Sequence, residues 1–118
     1  MGRVLVADDD PIFCEIVVEE LEDAGHLVTT VHDGDAVLRA IDVTVPDVLV
    51  LDCAMPGQNG VQIIKALAAA PSAPRIVVVT SRRNPAYLGQ LERLGADAVM
   101  VKPLMHGDLS DMVAGFLG

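Results

Sequence analysis

Three short runs constrain this chain more than any other feature: VLV at 4–6, VLVL at 48–51 and IVVV at 76–79. Each is apolar at consecutive positions, where a strand with one wet face would alternate. Continuous apolar strands are those buried on both faces, as at the centre of a parallel sheet. Parallel neighbours need a crossover, usually a helix. The segments between the runs have that character.

Read in order, strand and helix patterns alternate five times. The first strand is RVLVA, 3–7. Asp10 is placed to cap the following helix, with Pro11 at its first position. Ile12, Phe13, Ile16, Val17, Leu21 and Ala24 recur at helical spacing, and Gly25 is a C-terminal stop. HLVTTV, 26–31, is the second strand, and Asp35–Ile41 a short helix. The third strand spans 48–52, followed by a turn-rich loop, CAMPGQNG, and a helix over Val61–Ala70. RIVVVT, 75–80, is the fourth strand. Asn84-Pro85 repeats the cap-plus-proline device for a helix ending at Leu94, before Gly95. DAVMVK, 97–102, is the fifth strand, and a last helix fills 106–117. The pattern predicts an α/β fold of (βα)5 type, a parallel five-stranded sheet between two layers of helices, in one domain over 1–118.

Composition narrows the function classes. With 52% hydrophobic residues a chain of 118 is expected to form a core rather than stay disordered. No apolar run approaches the roughly 20 residues of a membrane span, and MGRVLVADDD lacks the long apolar region of a signal peptide. A cytoplasmic protein is the expectation. The net charge of −9 argues against nucleic acid or anionic membrane as a direct partner of this domain. Cys14 and Cys53 have no C-x-x-C spacing and are expected as reduced, mostly buried thiols. His26, His32 and His106 fall in loops or at element ends without ligand spacing, so a zinc site is not expected.

The polar residues that end the strands carry the chemistry. Asp8 and Asp9 come directly after the first strand, Asp52 ends the third, Thr80 the fourth and Lys102 the fifth. In open parallel sheets, ligands bind beyond the carboxyl ends of the strands, where the strand order reverses. Three carboxylates, a hydroxyl and an ammonium are thus expected at one edge. Adjacent carboxylates repel, by ~4 kcal/mol per pair at ~4 Å and an effective dielectric of about 20. A hard divalent cation would offset that, and a few carboxylates plus waters suit Mg2+. One carboxylate could then attack a phosphoryl group, with Thr80 donating a hydrogen bond to it and Lys102 countering its charge.

These residues resemble a known family. VADDDP (6–11), LDCAMPGQNG (51–60), VVTS (78–81) and GADAVMVKP (95–103) together look like the receiver domain of two-component response regulators, over essentially the whole chain. The resemblance implies a flavodoxin-like fold with strand order 2-1-3-4-5. It implies Asp52 as phosphoacceptor from a histidine kinase or histidine phosphotransfer protein. It implies Mg2+ bound directly by Asp9, Asp52 and the backbone carbonyl of Ala54, with Asp8 acting through a metal-bound water. Thr80 is then the switch hydroxyl and Lys102 the phosphate partner, with a cis bond at Lys102-Pro103. Phosphorylation is expected to switch the face of the fourth helix, fifth strand and fifth helix toward an effector protein or domain, with a phosphorylation-dependent homodimer as one outcome. The domain would assist its own phosphorylation and dephosphorylation without turning over an external substrate. A stand-alone regulator and a receiver cut from a longer protein both fit the chain.

The sequence also departs from that pattern. The family often has an aromatic three positions before the lysine; here it is Val99. Tyr87, in the fourth helix on the output face, reads first as an ordinary partly exposed tyrosine and alternatively as a partner or dimer contact; Arg82, beside Arg83, reads first as a solvated charge and alternatively as an attractor of anionic phosphodonors. Three other readings compete. A flavin binder would need a phosphate-cradling loop where the chain has DDDP. An aspartate-nucleophile phosphatase would need an acid where it has Ala54. A degenerate receiver would bind partners without phosphorylation, but Asp8, Asp9, Asp52, Thr80 and Lys102 are all retained.

Overall fold

The computed structural model describes residues 2–53, 59–70 and 72–117. The strands are β1 (Arg3–Ala7), β2 (Leu27–Val31), β3 (Val48–Asp52), β4 (Arg75–Thr80) and β5 (Ala98–Val101). The helices are α1 (Pro11–Asp23), α2 (Gly34–Thr44), α3 (Gly60–Ala68), α4 (Pro85–Leu94) and α5 (Asp108–Leu117). The strands form one parallel sheet in the order β2-β1-β3-β4-β5. This is the flavodoxin-like arrangement that the resemblance implies.

The period-2 geometry of a strand sorts the apolar runs onto two faces. Leu5, Ala7, Leu49, Leu51, Ile76 and Val78 share a core with Val37 of α2, Ile63, Ile64 and Leu67 of α3 and Leu91 of α4. Val4, Val6, Val48, Val50, Val77 and Val79 pack with Cys14, Val17 and Leu21 of α1 and Leu109 and Val113 of α5. Both faces are dry, which is why the runs do not alternate.

The ends of the helices obey their caps. The Asp10 carboxylate accepts from the amides of Ile12 and Phe13, and the Asn84 side chain from Ala86 and Tyr87, each ahead of a proline. Gly25 and Gly95 take positive φ where α1 and α4 stop. Helix α2 runs beyond the predicted Asp35–Ile41, because Asp33 caps it through the Ala36 amide and the chain turns out only at Val45. Val45 has φ 47, a left-handed conformation for a β-branched residue that also precedes a proline. β5 and α5 are shorter than expected, and the intervening segment includes the cis bond at Lys102-Pro103.

The expected apolar face of α1 changes. Ile12 and Ile16 are 69% and 58% exposed, so the face α1 presents to the sheet is Cys14, Val17 and Leu21. The apolar positions of α1 are more numerous than one sheet-facing stripe can bury. His26 is buried, and its Nδ1 accepts the Gly2 amide at 3.1 Å, tying the segment before β2 to the start of β1.

Candidate functional site

The parity of the strands decides where each polar end-residue points. Asp52 continues the Val48, Val50 series of β3 and Asp8 the Val4, Val6 series of β1, both on the α1/α5 side. Thr80 continues Ile76 and Val78 on the other side, toward α4. The ladder extends past the strands: the Asp8 amide donates to the Val31 carbonyl at 3.1 Å and the Lys102 amide to the Thr80 carbonyl at 2.8 Å. Backbone pairing therefore fixes the base of Asp8 and of Lys102.

One carboxylate oxygen from each of Asp8, Asp9 and Asp52 lies within 4.8 Å of the others. Asp8 and Asp52 are buried and Asp9 is exposed, so the cluster opens to solvent on one side. The donor set is all carboxylate oxygen, the kind that hard divalent cations take. On that chemistry, and on the mutual repulsion of three clustered acids, the residues fit Mg2+. The backbone carbonyl of Ala54, expected as a further ligand, lies outside the described residues.

Buried Asp8 is held from several directions. Its Oδ2 is 2.9 Å from the Lys102 ammonium, its Oδ1 accepts the Asp10 amide at 2.9 Å, and its carbonyl accepts from the Cys14 thiol at 3.3 Å. His32 Nδ1 sits 3.1 Å from the same carbonyl. The Lys102 ammonium also lies 4.2 Å from the centroid of the Phe13 ring. Neither Phe13 nor His32 stands out at the site from sequence; Phe13 lies three residues past the acidic triplet on the first turn of α1, the one signal that could have marked it.

Thr80 is buried and its Oγ1 accepts the Arg82 amide at 3.1 Å, which leaves the hydroxyl proton for another acceptor. Arg82 stacks on Tyr87, 3.9 Å from the ring centroid, so its side chain has a partner inside the domain. Tyr87 is half-buried and packs against the core, which gives it a structural position beyond that of an exposed contact. Burial pushes the Cys53 thiol up from 9.0 to about 11, opposed by the neighbouring Tyr87 and reinforced by Asp52. Burial likewise raises Cys14 to about 11, with Asp8 adding to the effect. Both are protonated thiols at neutral pH. Beside the cluster, a cleft of about 500 Å3 is lined by Phe13, Ile16, Glu20, Ser81, Lys102 and Leu104.

Comparison with known proteins agrees with this geometry. The family described as the response regulator receiver domain matches residues 4–114. The probable transcriptional regulatory protein NarL of Mycobacterium tuberculosis is 35% identical over 102 residues, 85% of this chain and 47% of that protein. The transcriptional regulatory protein CpxR of Escherichia coli is 32% identical over 122 residues, 99% of this chain and 50% of that protein. The chain thus spans about half the length of these curated relatives. The solved receiver domain of the M. tuberculosis NarL superposes with a TM-score of 0.88 at 32% identity, over 97% of this chain and 94% of that one.

Proposed function

This chain belongs to the response regulator receiver domain family, and we propose that Asp52 is its phosphoacceptor. The observation that carries the proposal is the convergence of Asp8, Asp9 and Asp52 within 4.8 Å at the sheet edge where Thr80 and Lys102 also end their strands. A carboxylate oxygen of Asp52 attacks the phosphorus of a phosphohistidine. The P–N bond breaks, its electron pair returns to the imidazole, and Asp52 becomes an acyl phosphate. Asp8, Asp9 and Asp52 would hold Mg2+, whose positive charge would offset the repulsion among carboxylates and phosphoryl oxygens.

The remaining work falls to the chain's own groups. The Thr80 hydroxyl donates to a phosphoryl oxygen, since its own acceptor side is taken by the Arg82 amide. Lys102, held in the resting protein on Asp8, gains the phosphoryl group as a second anionic partner. The two alternatives with external chemistry fit less well: DDDP repels a flavin phosphate, and no acid stands at position 54 for a leaving group. The domain acts as a switch, receiving from a histidine kinase or phosphotransfer protein and passing the change through α4, β5 and α5 to an effector. Exposed Ile12 and Ile16, the latter lining the cleft beside the acidic cluster, offer the donor protein an apolar surface.

The test is intact mass after incubation with Mg2+ and acetyl phosphate, with Asp52→Ala alongside. One base-labile phosphoryl gain in the parent and none in the variant supports the assignment. No gain in a folded parent, from acetyl phosphate or from phosphohistidine proteins, moves the chain to phosphorylation-independent binding.

A further inference from the structure

The loop after Thr80 is tied to the acceptor strand through a tyrosine. The Arg82 guanidinium covers the Tyr87 ring at 3.9 Å, and Tyr87 packs against the same core as Cys53, the residue after Asp52, close enough for each to shift the other's ionisation. Cys53 is itself pressed against the start of α3, where a β-carbon on Gly60 would lie 2.5 Å from the Cys53 Cα. At the other end, the Arg82 amide holds the Thr80 hydroxyl, and Arg83 reaches the Lys102 carbonyl at 3.3 Å. A continuous line of contacts thus runs from beside Asp52, through the first turn of α4, back to Thr80. Val99 packs against the same core and carries no ring.

We propose that Arg82 and Tyr87 form a strap that holds the first turn of α4 to the acceptor strand in the unphosphorylated protein, and that phosphorylation of Asp52 loosens it. Tyr87 is then the positioning residue that passes the state of Asp52 to α4. The proposal rests on the assignment of Asp52 as acceptor. A phosphoryl group there sets charged oxygens beside the Cys53–Tyr87 link and draws the Thr80 hydroxyl, with the Arg82 amide bonded to that same hydroxyl. Charge-assisted bonds to a phosphoryl oxygen are roughly twice as strong as neutral ones, whereas a solvent-facing cation–π contact is a weak link. The strap is therefore the part that yields.

The chain has one tyrosine and no tryptophan, so tyrosine emission reports this ring alone. The experiment adds Mg2+ and beryllium fluoride, a phosphoryl mimic, to the intact chain. Emission should change saturably in the parent and stay fixed in Asp52→Ala. By calorimetry, Arg82→Ala should bind the mimic about two- to fivefold more tightly, because its resting state lacks the strap, and Arg82→Lys, which keeps a cation over the ring, should fall near the parent. Loss of a cation that merely attracts anions would weaken binding instead. Unchanged emission in a parent that gains phosphoryl mass, or equal or weaker binding by Arg82→Ala, overturns the strap while leaving Asp52 as acceptor. A parent that takes neither phosphoryl nor mimic overturns the acceptor assignment and the strap with it.

Discussion

The Lys102 ammonium lies 2.9 Å from a carboxylate oxygen of Asp8, and the Asp8 side chain is 2% exposed. Removing the cation leaves a buried acid facing Asp9 and Asp52. Lys102→Ala should therefore lose about 3 kcal/mol, the scale for breaking a buried pair from one side. The urea midpoint in EDTA reads this. Saturating Mg2+ should recover more stability in Lys102→Ala than in the parent, since the ion relieves the same repulsion. An equal Mg2+ increment in both proteins would show that Lys102 does not offset the charge of the cluster.

Exposed Asp9 gives the opposite sign. Asp9→Asn removes one of three clustered charges without opening the core, so in EDTA its stability should rise by about 1 kcal/mol, a fraction of the pairwise repulsion at this range. The Mg2+-dependent increment should shrink at the same time. A destabilised Asp9→Asn in EDTA would mean that the carboxylates are not in net repulsion.

Glu20 caps a helix other than its own. From α1 its carboxylate accepts the Gly107 amide at 2.8 Å and the Ser110 amide at 2.9 Å at the start of α5, with His106 3.4 Å away. Glu20→Ala should cost about 1–2 kcal/mol, as loss of an N-cap does. Amide exchange at Gly107 and Ser110 should accelerate before the rest of the domain.

The two thiols, Cys14 buried and Cys53 partly buried, set an alkaline limit. Cys14 and Cys53 are raised in the fold from 9.0 to about 11, so the folded state binds their protons more tightly than the unfolded chain. Their contribution is fully present below about pH 9 and is lost as pH rises through about 11. Urea midpoints should decline over that window, and less steeply in Cys14→Ala/Cys53→Ala. A parallel decline in parent and variant would assign the loss to other groups.

Val45 is strained at φ 47 and is 64% exposed, so a smaller residue there forfeits little burial. A left-handed non-glycine residue costs about 1–2 kcal/mol, and glycine's extra chain entropy returns about 0.5–1. Val45→Gly should gain about 0.5–1 kcal/mol, visible as a higher melting temperature.

Strand identity and the site's charged ends are legible in the sequence because both depend on local pattern: the continuity of each apolar run, and the polar residue that closes it. Asp10, Asn84, Gly25 and Gly95 are legible for the same reason, since caps and stops act within a few residues. Contacts made across the fold are not. Nothing in the spacing of α1 says that Ile12 and Ile16 face outward while Cys14 faces the sheet. Glu20 looks like one more helix-surface acid until α5 is packed beside it. Arg82 and Tyr87 read separately as a solvated charge and a partly exposed tyrosine, and only the turn into α4 stacks one on the other.

The pair that anchors Asp8 spans 94 positions of sequence, from the first strand–helix unit to the last. Asp9, Asp52, Thr80 and Lys102 likewise belong to four different units. A nascent chain that has folded only its first four strands holds the acids without their lysine. The full set of polar groups at this edge is assembled only when the final unit docks.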